Sequence, residues 1–248
     1  MKKQKTAWVT GVNQGIGAAV MQQLHERNIH VVGFDLSTEH VPPIYKSHVH
    51  CCDISDASQV DTLCQRLLEV EPPDYFIHVA GVLYLSEHEN LSIDDWLKTF
   101  AVNVYAPFYF LRFLTPYFKK KRAGSMVMVS SNAAHVPRIN MAAYGASKAA
   151  LTSFSKTVAL EMAEYGVRVN IVSPGSTATP MQYQLWQDSS GEKVTIQGNL
   201  KNYKVGIPLK KIAKPEEVAN AILFFISDQA THITMHDLVV DGGATLGQ

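Results

Sequence analysis

The sequence predicts an α/β fold in a single domain: a doubly wound parallel sheet of about seven strands, with helices on both faces. Three observations lead there. Short apolar runs recur near 7–10, 29–34, 48–52, 75–79, 125–130, 167–172 and 237–241. Helix-period segments fill most of the intervals, and alternation of β with α implies parallel strands covered on both sides. The 248 residues are 46% hydrophobic, enough for one sizeable core, and no repeat, low-complexity tract or linker divides them.

The first run, T-A-W-V-T, ends in Thr10-Gly11, and an amphipathic segment begins after Gly17. A strand, a Gly-rich turn and a helix form the context in which a pyrophosphate is bound. Glycines let the backbone approach the phosphates, and the unpaired N–H groups of the helix N-terminus attract them. Gly11, Asn13, Gln14, Gly15, Ile16 and Gly17 are the candidates, in the spacing G-x-x-x-G-x-G. The second run closes with Asp35 and Leu36. A carboxylate there accepts hydrogen bonds from the adenosine-ribose hydroxyls and repels a 2′-phosphate. No Lys or Arg stands in 31–45, so the expected cofactor is NAD.

Further along, Ser92 and Asp95 form a capping-box-like start for the helix that carries Asn103. Cationic residues at 119–122 suit the last turn of a helix. Gly166 is expected to end the helix that begins near Tyr144, and Pro215 with two glutamates to open the last long one. The exception to the rhythm is 176–208, polar and irregular, and an irregular stretch that long is usually functional.

Residues 131–148 carry the chemistry. Tyr144 and Lys148 lie four apart on a helix and so share a face, with Ser131 thirteen positions before the tyrosine. An ammonium beside a phenol is expected to lower its pKa, and a neighbouring hydroxyl can hold a substrate oxygen. These parts suffice to move a proton to or from an alcohol or carbonyl. Tyr117 and Lys121 repeat the spacing, but Val104 stands where the hydroxyl is needed.

The set T-G-x-x-x-G-x-G, Ala80-Gly81, Asn103, Ser131, Tyr144/Lys148 and Pro174-Gly175 resembles the short-chain dehydrogenase/reductases, over the whole chain and in the family's order. Segments 133–151, 172–182, 206–224 and 237–247 resemble more closely a branch that oxidises a carboxylated cyclohexadiene diol to a catechol in siderophore synthesis. The resemblance implies a Rossmann-like sheet and a tetrad of Asn103, Ser131, Tyr144 and Lys148. In it Tyr144 takes the substrate proton, Lys148 lowers the phenol pKa and holds the nicotinamide ribose, and Asn103 supports a relay water. It further implies an adenine-edge contact from Asp53 and Ile54, and ribose approach at Ala80 and Gly81. Thr177, by its N–H, and Thr179, by its hydroxyl, are expected to grip the carboxamide after Pro174-Gly175. Segment 176–208 becomes a substrate lid, and a homo-oligomer, by analogy a tetramer, is expected.

An acidic substrate needs a cation, and Arg138 is the candidate because its planar fork suits a carboxylate. Met181 and Gln182 are weaker candidates for the pocket wall. His78 stands where the family usually has Asn, which puts the usual stitching of strands in question; it is read as structural. Formal net charge is zero, so no nucleic acid or anionic membrane is expected as partner. No metal-ligand spacing is present, and Cys51, Cys52 and Cys64 read as reduced thiols of a cytoplasmic protein. A 3-oxoacyl-carrier-protein or sugar reductase would share every feature but the lid and pocket, and a non-catalytic NAD sensor remains a third reading.

Overall fold

The computed structural model describes residues 4–186 and 188–247, so the start of the N-terminal M-K-K-Q-K segment lies outside it. Strands β1 (Thr6–Thr10), β2 (His30–Asp35), β3 (Val49–Cys51), β4 (Tyr75–His78), β5 (Gly124–Val129), β6 (Val167–Pro174) and β7 (Asp237–Val240) fall within two residues of the expected runs. They form one sheet in the order β3-β2-β1-β4-β5-β6-β7, every pairing parallel. The chain reverses its direction of winding between β1 and β4. That opens a crevice at the carboxyl ends of the strands.

Alternation along each strand sends successive side chains to opposite faces. Trp8, Phe34, Phe76 and Met126 pack on α2 (Ala57–Val70), α4 (Ala106–Lys121) and α5 (Ala142–Ala163). Val9, Val31, Ile77 and Val127 face α1 (Gly15–Glu26) and α8 (Pro215–Ile226). Both clusters are almost wholly buried, as a sheet covered on two sides requires. Trp8 keeps its polar tip satisfied by donating Nε1–H to the Glu71 carbonyl at 2.9 Å.

The helix ends follow the local signals. Ser92 Oγ accepts from the Asp95 N–H and starts α3 (Ile93–Phe100). Gly166, at φ +71°, turns the chain out of α5 into β6. Pro215 opens α8, where Glu217 caps the Lys214 N–H at 2.8 Å. The basic end of α4 is more than a solvated terminus. Lys121 donates to the Asp74 carboxylate at 2.7 Å and to the Pro73 carbonyl at 2.8 Å.

Two expectations need correction. Segment 176–208 is not irregular throughout, because it holds α6 (Pro180–Tyr183), α7 (Gly191–Gln197) and a bridge between Asn199 and Lys204. The helix around Asn103 is also not a plain α-helix. A π-helical turn, Ala101–Tyr105, joins α3 to α4. Pro107 lacks the N–H that would otherwise reach the Asn103 carbonyl, which gives the distortion a covalent cause.

Candidate active site

The crevice holds a cavity of about 650 Å³ that runs from the β1–α1 turn to segment 176–208. Every residue the sequence proposed for cofactor or substrate lines it; of the proposed site residues, Asn103 alone does not.

At one end the Gly-rich turn is held against β2. Asp35 Oδ2 accepts from the Asn13 N–H at 2.9 Å, its Oδ1 from the Ser37 N–H at 3.3 Å, and Asn13 Oδ1 from the His40 N–H at 2.9 Å. The turn packs so tightly that a Cβ on Gly17 would stand 1.9 Å from the Gly11 carbonyl oxygen. Gln14 caps α1 without a side-chain hydrogen bond, so the first N–H groups are not spent on a capping side chain. That cradle, with Asp35 on the same wall, suits a dinucleotide of the nicotinamide class. Asp53 lines the cavity too, but its Oδ1 is engaged by Ser55 through N–H and Oγ–H at 2.9 and 2.6 Å, the work of a strand-end cap.

Between β1 and β4 the buried pair Thr10 and His78 replaces the expected asparagine stitch. Thr10 Oγ1 accepts from the Val79 and Ala80 N–H groups at 3.1 and 3.2 Å. Its own proton therefore goes to His78 Nδ1, 3.0 Å away, which leaves His78 as the Nε2–H tautomer. Nε2 is buried without a partner. Burial, and then the charge of Lys148, depress the imidazole pKa to about 3, so it is neutral and structural.

The middle of the cavity is built from the end of β5 and the start of α5. Ser131 Oγ accepts from the Ala133 N–H at 3.1 Å and lines the same cavity as the Tyr144 phenol. One turn after Tyr144, Lys148 is 3% exposed and donates Nζ–H to the Val129 carbonyl at 2.9 Å. Its Nζ stands 5.8 Å from the Tyr144 ring centre. Burial brings the ammonium pKa down to about 8. Burial also pushes the phenol up, partly offset by the Ser131 hydroxyl. The expected lowering of the phenol by the lysine is thus not found. The ammonium is turned to the strand-end carbonyl, and the cost of burying a phenolate prevails.

Asn103 sits behind this wall. Its Nδ2 donates to the Val82 carbonyl and to Ser147 Oγ, both at 3.0 Å, and its Oδ1 accepts from the Val82 N–H at 2.9 Å. The side chain is committed to Val82, in the segment that follows β4, and to Ser147 rather than to the cavity. Thr179 likewise spends its hydroxyl, donating to the Thr177 carbonyl at 3.2 Å and capping α6. The Thr177 N–H makes no hydrogen bond to the described residues.

Besides Lys148, two cations line the cavity. Arg138 was expected; Lys204 was not. The bracket Gly198…Gly206 marks a turn in the sequence, but nothing in the local pattern tells which of its lysines faces inward.

A family model described as enoyl-(acyl carrier protein) reductase matches residues 11–245. The 2,3-dihydro-2,3-dihydroxybenzoate dehydrogenase of Escherichia coli (strain K12) is 48% identical over 244 residues, 98% of each chain. That of Bacillus subtilis (strain 168) is 46% identical over 252 residues, 98% of this chain and 97% of the relative. A solved structure of 4-hydroxyisoleucine dehydrogenase complexed with NADH superposes with a TM-score of 0.90 at 28% identity, covering 99% of this chain and 100% of that one.

Proposed function

Because the chain belongs to the short-chain dehydrogenase/reductase family, we infer that it is an NAD-dependent oxidoreductase that converts 2,3-dihydro-2,3-dihydroxybenzoate to 2,3-dihydroxybenzoate in siderophore biosynthesis. The observation that carries the reading is one cavity holding Ser131, Tyr144 and Lys148 together with the cation Arg138. Near-full-length likeness to two dehydrogenases of that name supports it.

The dinucleotide is held by the Gly11–Gly17 turn, Asp35 and Leu36, Asp53 and Ile54, Ala80 and Gly81, and the segment Pro174–Thr179. When bound, its nicotinamide accepts a hydride. Asp35 presents a carboxylate with no cation in 31–45 to receive a 2′-phosphate, which favours NAD over NADP. Ser131 fixes the C3 hydroxyl oxygen of the diol, and Tyr144 takes its proton as the phenol passes its own on toward Lys148. Lys148, with one donor on Val129, keeps two more for the ribose hydroxyls. The Asn103 carbonyl holds a water on the path by which the proton leaves through Lys148. The Thr177 N–H receives the carboxamide, and Met181 and Gln182 wall the ring. Loss of the C3 hydride and of the C3 hydroxyl proton yields a ketone whose tautomer is aromatic, so the oxidation runs one way.

The assembly is read as a homotetramer. Helices α4 and α5 leave Phe108 and Leu160 46% and 65% exposed, an apolar face suited to a second copy. Three free thiols suit the cytoplasm, and no helix among the described residues is long and apolar enough to cross a membrane.

Purified protein mixed with NAD and the dihydrodiol is expected to raise NADH absorbance and catechol fluorescence together. A protein that binds NAD and produces neither signal would overturn the substrate. Tyr144→Phe is expected to lower kcat by about a hundredfold to ten-thousandfold with NAD affinity kept; turnover within a few-fold of the wild type would remove Tyr144 from its role.

A further inference from the structure

Among the described residues the other partly buried basic side chains have partners: Lys119 lies over the Tyr165 ring, Lys121 pairs with Asp74, and Arg168 donates to the Phe225 and Ser227 carbonyls. Arg138 and Lys204 are different. Both line the cavity and both are partly buried. Among the described residues neither side chain makes a hydrogen bond or an ion pair. Burial, and then the charge of Arg138, lower the Lys204 pKa; burial lowers that of Arg138, opposed by the charge of Asp241. Two desolvated like charges that feel each other, with no anion between them, cost the folded state free energy.

Lys204 is also not a loose surface lysine. Its N–H donates to the Asn199 carbonyl at 3.0 Å, and its carbonyl accepts from the Asn199 N–H at 2.8 Å. The Ile207 N–H closes the same hairpin on the Ile196 carbonyl at 2.8 Å. Gly198 and Gly206, at φ +85° and +87°, bracket it. Their missing side chains leave room for the Lys204 and Ile196 carbonyls, which a Cβ would approach to 2.4 and 2.5 Å. The hairpin thus fixes the backbone from which the ammonium reaches inward.

We propose that Lys204 and Arg138 are the two halves of a clamp for a ring carboxylate, one carried by the lid and one by the loop between β5 and α5. The bound anion then joins lid to floor. The apolar side chains of Met141 and Ile207 line the same cavity and offer surface to the ring that bears the carboxylate. This inference rests on the reading of the cavity as the seat of a carboxylated diol, and it adds to that reading the residue by which the lid recognises the acid.

The test uses the full chain loaded with NADH and two probes, 2,3-dihydroxybenzoate and its uncharged counterpart catechol, with turnover of the dihydrodiol measured alongside. Lys204→Met is expected to weaken binding of the acid about tenfold to a hundredfold, the range of a charge-assisted hydrogen bond. Catechol affinity and Tm should hold or rise, and Lys204→Arg should restore most of the loss. In turnover the change should appear in KM more than in kcat. If the acid binds equally to wild type and Lys204→Met while the dihydrodiol is oxidised, the clamp is wrong and the diol reading stands. If the dihydrodiol is not oxidised but acid binding still depends on Lys204, the clamp stands and the substrate is another carboxylate. If neither probe binding nor turnover responds, both are wrong.

Discussion

Lys148 shows how costly a single buried side chain can be to the fold. Its ammonium is buried with one carbonyl as partner, and its pKa falls from 10.5 to about 8. Between those values the unfolded chain binds a proton that the folded protein does not, so this group adds stability as pH rises from about 8 to 10.5. Below pH 8 the charge is present in both states and the burial cost is borne in full. Replacing it by the uncharged, similarly shaped methionine removes that cost. Lys148→Met is therefore expected to raise stability at neutral pH by about 1–3 kcal/mol, read as a higher Tm, and to abolish turnover. A Tm that falls instead would show that the Val129 hydrogen bond outweighs desolvation. The presence of Tyr144 and Lys148 on one helical face was legible from a spacing of four. Which way their pKa values move was not, because that depends on burial by elements far away in sequence and on the carbonyl the ammonium happens to reach.

At the scale of elements, the junction of β1 with β4 is held by side chains as well as by the ladder. The Thr10 hydroxyl serves the His78 ring and the N–H groups of Val79 and Ala80, which begin the segment that lines the cavity. Thr10→Val keeps the shape and leaves those groups buried and unpaired, at about 1–3 kcal/mol each. Denaturant unfolding should show a loss of about 3 kcal/mol or more, with weaker NAD binding because Ala80 and Gly81 lose their anchor. An unchanged midpoint would mean that ordered water replaces the hydroxyl. A strand followed by glycines is a local pattern, so β1, its turn and α1 were readable. The partnership of Thr10 with His78 spans |i−j| = 68 and has no periodic signature. The same holds for Asn103, whose position was readable but whose side chain serves Val82 rather than the cavity, and for Lys204, one of several lysines in a polar stretch.

For the whole molecule, Asp74 ties the amino-terminal strand to the end of α4. Burial alone would raise its pKa, but hydrogen bonds from Lys121, the Thr6 N–H and Lys5 overcome it and hold the carboxyl below 3.8. A depressed carboxylate contributes stability that is complete above its unfolded pKa and is lost as pH falls through the folded value. Acid unfolding should therefore be shallower in Asp74→Asn than in the wild type below about pH 4, although the variant is less stable at neutral pH. Parallel acid limbs for the two proteins would count against Asp74 as a pH-linked tie. The seven-strand frame itself was legible almost throughout, since buried parallel strands leave unbroken apolar runs.

The strand order also bears on how the chain is made. Of the seven strands, the first to be made comes to lie in the interior of the sheet: β1 pairs with β2 on one edge, while its other edge is reserved for Tyr75–His78. A nascent chain that has passed β3 but not reached β4 thus holds a half-sheet with the edge of Ala7–Thr10 bare. Later strands are added outward on that side, ending at β7. A polypeptide stalled on the ribosome before residue 75 is the species most exposed to aggregation. One stalled after residue 130 already has that edge covered.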